Sequence, residues 1–506
     1  MSADSPAPQS PRPQATTGIS GLDDILNGGF TPNRMYLIEG VPGSGKTTLS
    51  LQFLLEGARR GEPVLYVSLS ESGEEIRAVA ESHGWTLDGI TIRELAPSES
   101  ALAPEEQYSI FHPSEIELTE TTKRILADIE ALKPTRLVLD SLSELRLLTG
   151  SPLRYRRQIL ALKQFFIGRH CTVILLDDLS STERDLQVQS ITHGVIGLEQ
   201  LVPQFGADRR RLRVIKFRGK SFRSGFHDYV IRAGGLEVFP RVVAAESRHG
   251  SNRDRLSGGI EALDSLLGGG IERGTSTLIV GAAGTGKSTI SAQFVTAAAE
   301  RGDSSTLFIF DESAATLLAR TTELGIELAK HVRSGVVTIK QVDPAEMSPG
   351  ELAHGLRVAV EQGKASIVVI DSLNGYLNSM PEERYLTTQL HELLMYLGQQ
   401  GVATILIGAH QGLVGAAMVT PIEASYLADA VILLRYFEAE GEVRQAISVV
   451  KKRSGEHERS IREFRLARGG IKIGEPLRNY RGVLTGVPIP QRSRRAAPEP
   501  ATGRAV

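Results

Sequence analysis

Short, continuous apolar runs alternate along this chain with longer stretches of helical period. In the first half they occupy residues 35–39, 64–68, 136–139 and 172–176, and in the second half 276–280, 306–310, 367–370 and 403–407. Runs apolar on every position, joined by helical connectors, predict parallel strands whose sheet is covered on both faces. Later runs at 212–217, 229–239, 445–451 and 461–466 are separated by closer turns, which predicts an antiparallel extension at one edge of each sheet.

The two halves are copies. Gly18-Ile19-x-x-Leu22-Asp23-x-x-Leu26-x-Gly28-Gly29 returns as Gly259-Ile260-x-x-Leu263-Asp264-x-x-Leu267-x-Gly269-Gly270. At the same spacing Gly40 matches Gly281, Lys46 matches Lys287, Glu71 matches Glu312 and Gly84 matches Gly325. Asp140 with Asp371 and Lys216 with Lys451 match at shorter spacings, so the length changes fall in intervening loops. The pattern predicts a disordered leader at 1–14, a first domain at 15–243, a polar linker at 244–255, a second domain at 256–487 and a disordered tail at 488–506.

Composition narrows the class. Of 506 residues, 41% are hydrophobic and 23% charged, which is the balance of a globular protein. No apolar run approaches the roughly 20 residues of a spanning helix, and the Pro-rich N-terminus lacks the apolar core of a signal peptide. Cys171 is the sole cysteine, so no intrachain disulfide framework is possible, and a reducing cytoplasm is the expected compartment. Lys plus Arg at 57 against Asp plus Glu at 59 gives a net charge of −2, which argues against a chain that lives on nucleic acid.

Chemistry is concentrated after the first strand of each copy. Gly40-Val41-Pro42-Gly43-Ser44-Gly45-Lys46-Thr47 fits the phosphate-loop pattern and opens a helix expected over 47–57. Backbone N–H groups at such a helix start cradle phosphate oxygens while the lysine reaches the terminal phosphates. The nucleotide-binding candidates are therefore Gly40, Gly43, Ser44, Gly45, Lys46, Thr47 and Thr48, and in the second copy Gly281, Gly284, Thr285, Gly286, Lys287, Ser288 and Thr289. Two phosphate loops on alternating α/β patterns predict tandem RecA-like P-loop NTPase domains binding ATP, each a mostly parallel sheet flanked by helices.

Mg2+ is the implied metal, with Thr47 and Asp140 holding it in the first copy and Ser288 and Asp371 in the second. Asp140 and Asp371 end apolar strands, which puts a carboxylate beside the phosphate loop, although an aspartate after a strand is also a common helix cap. Glu71 follows the strand at 64–68, and Asp311-Glu312 follows 306–310, where a carboxylate can orient or deprotonate a nucleophile. A solvated loop acid is the alternative reading of these positions. His193, His227 and His457 lack metal-ligand spacing. His410-Gln411 ends a central strand and is either a phosphate-sensing pair or a satisfied loop pair.

The repeat, the motifs and their order resemble the KaiC family of circadian clock proteins and their bacterial relatives, across about 17–488. Lys216-Phe217-Arg218-Gly219 and Lys451-Lys452-Arg453 belong to the resemblance. It implies a homohexamer of stacked double domains with ATP between adjacent subunits, and KaiB-like or other signalling proteins as partners. It also implies that Lys216, Arg218, Lys451 and Arg453 reach the γ-phosphate of the neighbouring subunit's nucleotide. The family's second domain can phosphorylate itself on a Ser-Thr pair, which here becomes Ser425-Tyr426, leaving Ser425 as the phosphoacceptor candidate. The family's paired acids are Ser70-Glu71 in the first copy and Asp311-Glu312 in the second, so first-domain hydrolysis would rest on Glu71 alone.

A regulatory ATPase and autokinase is the reading these features favour. A nucleic-acid-dependent motor shares the fold, and a scaffold that binds ATP only to assemble is the third possibility.

Overall fold

The computed structural model describes residues 13–95, 113–149, 151–179, 186–203, 205–246, 254–378, 385–409, 426–485 and 489–490. The chain divides between Arg241 and Val242 into two compact units. The first contains β1 (Met35–Gly40), β2 (Val64–Ser68), β3 (Ile90–Glu94), β4 (Arg136–Asp140), β5 (Thr172–Asp178), β6 (Gly194–Leu201), β7 (Arg209–Phe217), β8 (His227–Arg232) and β9 (Gly235–Phe239). They form one sheet in the order β3-β2-β4-β5-β1-β6-β7-β8-β9. The pairs from β3 to β6 are parallel and those from β6 to β9 antiparallel.

The second unit opens with a two-stranded ribbon, β10 (Arg255–Leu256) and β11 (Ile271–Glu272). Its main sheet uses β12 (Ser276–Gly281), β13 (Ser305–Ile309), β14 (Val337–Gln341), β15 (Ile367–Asp371), β16 (Ala403–Ala409), β17 (Ala430–Ala439), β18 (Glu442–Lys452), β19 (Arg462–Ala467) and β20 (Gly470–Pro476). The order β14-β13-β15-β16-β12-β17-β18-β19-β20 repeats that of the first unit.

Side-chain alternation explains why the central strands are largely apolar. Tyr36 and Ile38 enter one core with Leu49, Phe53 and Leu54 of the helix Lys46–Arg59, while Met35 and Leu37 enter another with Tyr155, Ile159 and Leu162 of the helix Pro152–Phe166. Successive residues of a strand face opposite sides, so both faces are packed and most positions are apolar, with a few buried polar exceptions such as Glu39 and Thr277. In the second unit Ile279 and the pair Leu278 and Val280 divide in the same way.

The structure refines several expectations. The run at 229–239 is a hairpin, with Gly234 at φ +92 turning β8 into β9. The antiparallel extension begins at β7 and β18, the runs expected for it, and is preceded by β6 and β17, which are parallel to β1 and β12. The linker expected at 244–255 is partly folded: Ala244–Glu246 is a 3-10 turn, and Val242 and Ala244 pack into the second unit's core. Small apolar side chains inside a polar stretch gave that segment an anchor. Within the described residues no helix is long and apolar enough to cross a membrane.

One buried charge holds the first unit's entry segment. Arg136, at the start of β4, is 1% exposed, pairs with Glu62 at 2.6 Å and donates to the carbonyls of Thr16 at 2.7 Å and Phe53 at 2.8 Å. Its guanidinium also lies over the Phe53 ring, 4.7 Å from the centroid.

Candidate functional site

β1 lies between β5 and β6 in a sheet whose strand order reverses there, and ligands of open α/β sheets bind beyond the carboxyl ends of strands at such points. The phosphate loop leaves β1 at Gly40 and closes onto the helix at Lys46. Gly43 at φ +79 and Gly45 at φ +89 adopt left-handed conformations that a side chain would strain. A Cβ on Gly40 would stand 2.6 Å from Ser44 Oγ and 2.8 Å from the Leu198 carbonyl, so the cradle is already at contact distance. Gly284 at φ +78 and Gly286 at φ +94 repeat the curve, and a Cβ on Gly281 would stand 2.6 Å from the Leu434 carbonyl.

In the first cradle Lys46 Nζ donates to the carbonyls of Gly40 at 3.0 Å and Val41 at 3.1 Å and pairs with Asp178 at 2.6 Å. Thr47 Oγ1 donates to Asp140 Oδ2 at 3.4 Å, and the Tyr66 hydroxyl donates to the same oxygen. Glu71 is fixed through its backbone, its N–H donating to Ser68 Oγ at 2.9 Å and its carbonyl accepting from that hydroxyl at 2.6 Å. Glu71 Oε2 and Ser44 Oγ are buried with no hydrogen-bond partner. Thr48 Oγ1 lies 3.4 Å from His83 Nε2.

The second cradle keeps the plan with different partners. Lys287 Nζ and Thr285 Oγ1 each donate to the Ala282 carbonyl at 2.8 Å, and Ser288 lies beside Asp371, whose pKa it lowers against the larger effect of burial. Asp311 accepts from Ser372 Oγ, and Glu312 pairs with Arg320 at 2.7 Å. Thr289 Oγ1 is buried and unpartnered. Gly284, Gly286, Lys287, Ser288 and Arg320 line an open pocket of about 300 Å3.

Charge in both cradles is held out of water without full compensation. Burial raises the pKa of Asp140, and the Asp178 charge adds to it; burial likewise raises Glu71, with Asp140, Glu75 and Asp178 adding. Burial raises Asp371 and Glu312 and lowers Lys287. Clustered carboxylates call for a divalent cation, and a desolvated lysine in a glycine-lined cradle calls for an anion. The residues present therefore fit Mg2+ and a nucleotide's phosphates: Thr47 with Asp140, and Ser288 with Asp371, are the pairs able to hold the metal.

The Lys-x-Arg pairs stand elsewhere. Lys216 and Phe217 pair with Val195 and Gly194 at the start of β6, while the phosphate loop leaves from the far end of the parallel β1. Lys216 Nζ donates to the Gln189 carbonyl, and Arg218 donates to that of Ser190 at 2.9 Å. Lys451 donates to the Ala428 carbonyl at 2.8 Å, and Arg453 pairs with Asp429 at 3.3 Å and donates to the Tyr426 carbonyl. These cations are therefore not brought to their own unit's cradle. Ser425, His410 and Gln411 lie outside the described residues, and Tyr426 is 51% exposed. His227 is buried with its rings' nitrogens bonded to the Arg241 N–H and the Arg223 carbonyl, and burial lowers its pKa to about 4.

Sequence reading missed Asp178, Tyr66 and Arg320. Asp178 ends an apolar strand as Asp140 does, and that shared pattern could have found it. Nothing in the helical pattern of Ala314–Glu323 marks Arg320.

The sequence model of the KaiC ATPase matches residues 15–243 and again 256–478. The chain belongs to the KaiC ATPase family. It is 27% identical over 479 residues to the circadian clock oscillator protein KaiC of Picosynechococcus sp., covering 93% of this chain and 92% of that protein. It is 27% identical over 482 residues to the circadian clock protein KaiC3 of Synechocystis sp., covering 94% of each. Both KaiC modules thus coincide with a phosphate loop, and the protein is a KaiC-type ATPase with its ATPase domain duplicated.

Proposed function

We propose that this KaiC-family ATPase works as a ring, hexameric by the family resemblance, in which each ATP sits between two copies and is hydrolysed with cations from both. The observation that carries this reading is the separation, within one sheet, of the phosphate loop from the Lys216-x-Arg218 and Lys451-x-Arg453 pairs. Cations at the far end of their own sheet can serve a nucleotide only in a neighbour, which makes catalysis depend on assembly.

In this reading the backbone N–H groups after Gly43 and Gly284 and the amines of Lys46 and Lys287 bind the phosphates. Mg2+, held by Thr47 with Asp140 and by Ser288 with Asp371, would neutralise phosphate charge. Glu71 and Glu312 orient the attacking water and accept its proton, and Asp311 supports Glu312 in the second cradle. The ring's nucleotide state is then what KaiB-like or other signalling partners read.

The same reading includes phosphoryl transfer to Ser425. Arg453 holds the carbonyl of the adjacent Tyr426, so the acceptor's neighbour shares an edge with the cations that face the next copy. Intact mass after incubation with ATP and magnesium tests it, and absence of phosphate at Ser425 removes this part.

Mixing tests the ring itself. A Lys46→Ala, Lys287→Ala chain and a chain with Lys216, Arg218, Lys451 and Arg453 all changed to Ala are each expected to be inactive. Mixed, they recover part of the turnover, because some sites take the loop from one chain and the cations from the other. No recovery in a mixed assembly, or a protein that stays monomeric with ATP, rules the reading out.

A further inference from the structure

Among the described residues, the two cradles differ by one cation. In the second unit Arg320, on the helix Ala314–Glu323, pairs with Glu312 at 2.7 Å and lines the pocket with Lys287 and Ser288. Its Nε is buried and has no hydrogen-bond partner. The constant spacing between the repeats puts Val79 at this position in the first unit, on the helix Gly73–Ser82, where it packs against the core. The same helix is thus built with valine in one copy, so packing does not require a guanidinium in the other.

We propose that Arg320 is a phosphate ligand particular to the second cradle, joining Lys287 on the oxyanions of a nucleoside triphosphate and releasing Glu312 as it does so. This rests on the reading of the cradle as an ATP site. A guanidinium carries five N–H donors in a planar fork, a geometry suited to phosphate, and the contact with Glu312 uses only part of that capacity. A triphosphate brings more negative charge than one carboxylate and competes for the arginine. Glu312, once released, is able to accept a proton from the nucleophile. The first cradle has no such restraint, since Glu71 Oε2 is unpartnered. The second site therefore carries a base that stays occupied until the triphosphate is seated, while the base of the first is ready beforehand.

The test uses the full chain carrying Lys46→Ala, which disables the first cradle, titrated with a fluorescent ATP analogue in magnesium. Adding Arg320→Val, the residue of the first copy, is expected to weaken binding about ten- to a hundredfold, the scale of a charged hydrogen bond. Arg320→Lys is expected to keep part of the affinity. Inorganic tripolyphosphate, used as a displacer, should lose affinity along with ATP. Arg320→Val binding the analogue as tightly as its parent overturns the proposal, as does a loss for ATP with none for tripolyphosphate. If the Lys46→Ala parent and the wild type bind no nucleotide, the ATP-site reading fails, and this inference fails with it.

Discussion

Asp178 grips Lys46, the lysine of the first phosphate loop, at 2.6 Å, and among the described residues the second cradle shows no equivalent grip, the residue in the same register, opposite Gly281, being Ala409. Among the described partners, an incoming phosphate must take the lysine from a carboxylate as well as carbonyls in the first site and from the Ala282 carbonyl in the second. With Lys287→Ala present to silence the second cradle, Asp178→Asn is expected to tighten ATP binding at the first about fivefold, the scale of a partly exposed ion pair. A titration showing unchanged or weaker binding would mean the pair does not compete with nucleotide.

Glu71 and Glu312 are predicted to act each on its own cradle. Glu71→Gln should lower turnover of the Lys287→Ala protein about a hundredfold or more, and Glu312→Gln should do the same in a Lys46→Ala background. Steady-state phosphate release separates the two, and a Glu71→Gln protein that turns over normally in the Lys287→Ala background would exclude Glu71 as the base.

The first cradle should also show a displaced acid limb. A base works only while ionised, and burial together with the charges of Asp140, Glu75 and Asp178 holds the Glu71 carboxyl above the usual glutamate range. As pH falls, kcat/KM of the Lys287→Ala protein is therefore lost at a higher pH than an exposed glutamate would give. Asp178→Asn removes one of the negative neighbours, lowers the Glu71 pKa and moves the limb to lower pH. A limb that stays in place or moves upward contradicts this assignment.

Arg136 should matter to stability far more than a surface arginine. Arg136→Ala strips the Thr16 and Phe53 carbonyls of a buried donor and is expected to cost about 3 kcal/mol, read as a lower urea midpoint. The second copy places Ile367 at this position, so Arg136→Ile tests how much of the loss is packing. Midpoints equal to wild type for both variants would show that the buried network contributes nothing net.

Cys171 offers a probe of the same unit. Burial raises its thiol pKa to about 12, so almost no thiolate exists near neutral pH. Alkylation by iodoacetamide should be negligible in the folded protein and rapid once the first unit opens; fast labelling under native conditions would contradict the burial.

The parts of this molecule legible in its sequence are those where one residue type has one physical use. Glycines that must take positive φ, a lysine at a helix start and strands packed on both faces leave patterns that survive without coordinates, and the repeat doubled each of them. The edge strands β3 and β14 were not singled out, because strands exposed at a sheet margin lose the unbroken apolar run. Asp178 was legible in principle, because it ends an apolar strand as Asp140 does. Arg320 was not, because its place beside the phosphate loop comes from how its helix is set against the sheet. Val242 and Ala244 escaped likewise, since apolar residues in a polar stretch acquire meaning only once a core is there to receive them.

Having its nucleotide cradle at one end of the sheet and its arginine-bearing edge at the other gives each unit a polarity, like a socket and a plug on opposite sides of one block. If the cations serve a neighbour's nucleotide, as proposed, such a block would not satisfy itself in a two-fold dimer, where matching faces meet, and would join head to tail. Every copy added would leave one cradle still lacking its cations until the last closes the circle, so on this reading full hydrolytic capacity arrives with closure and not in proportion to the number of subunits joined.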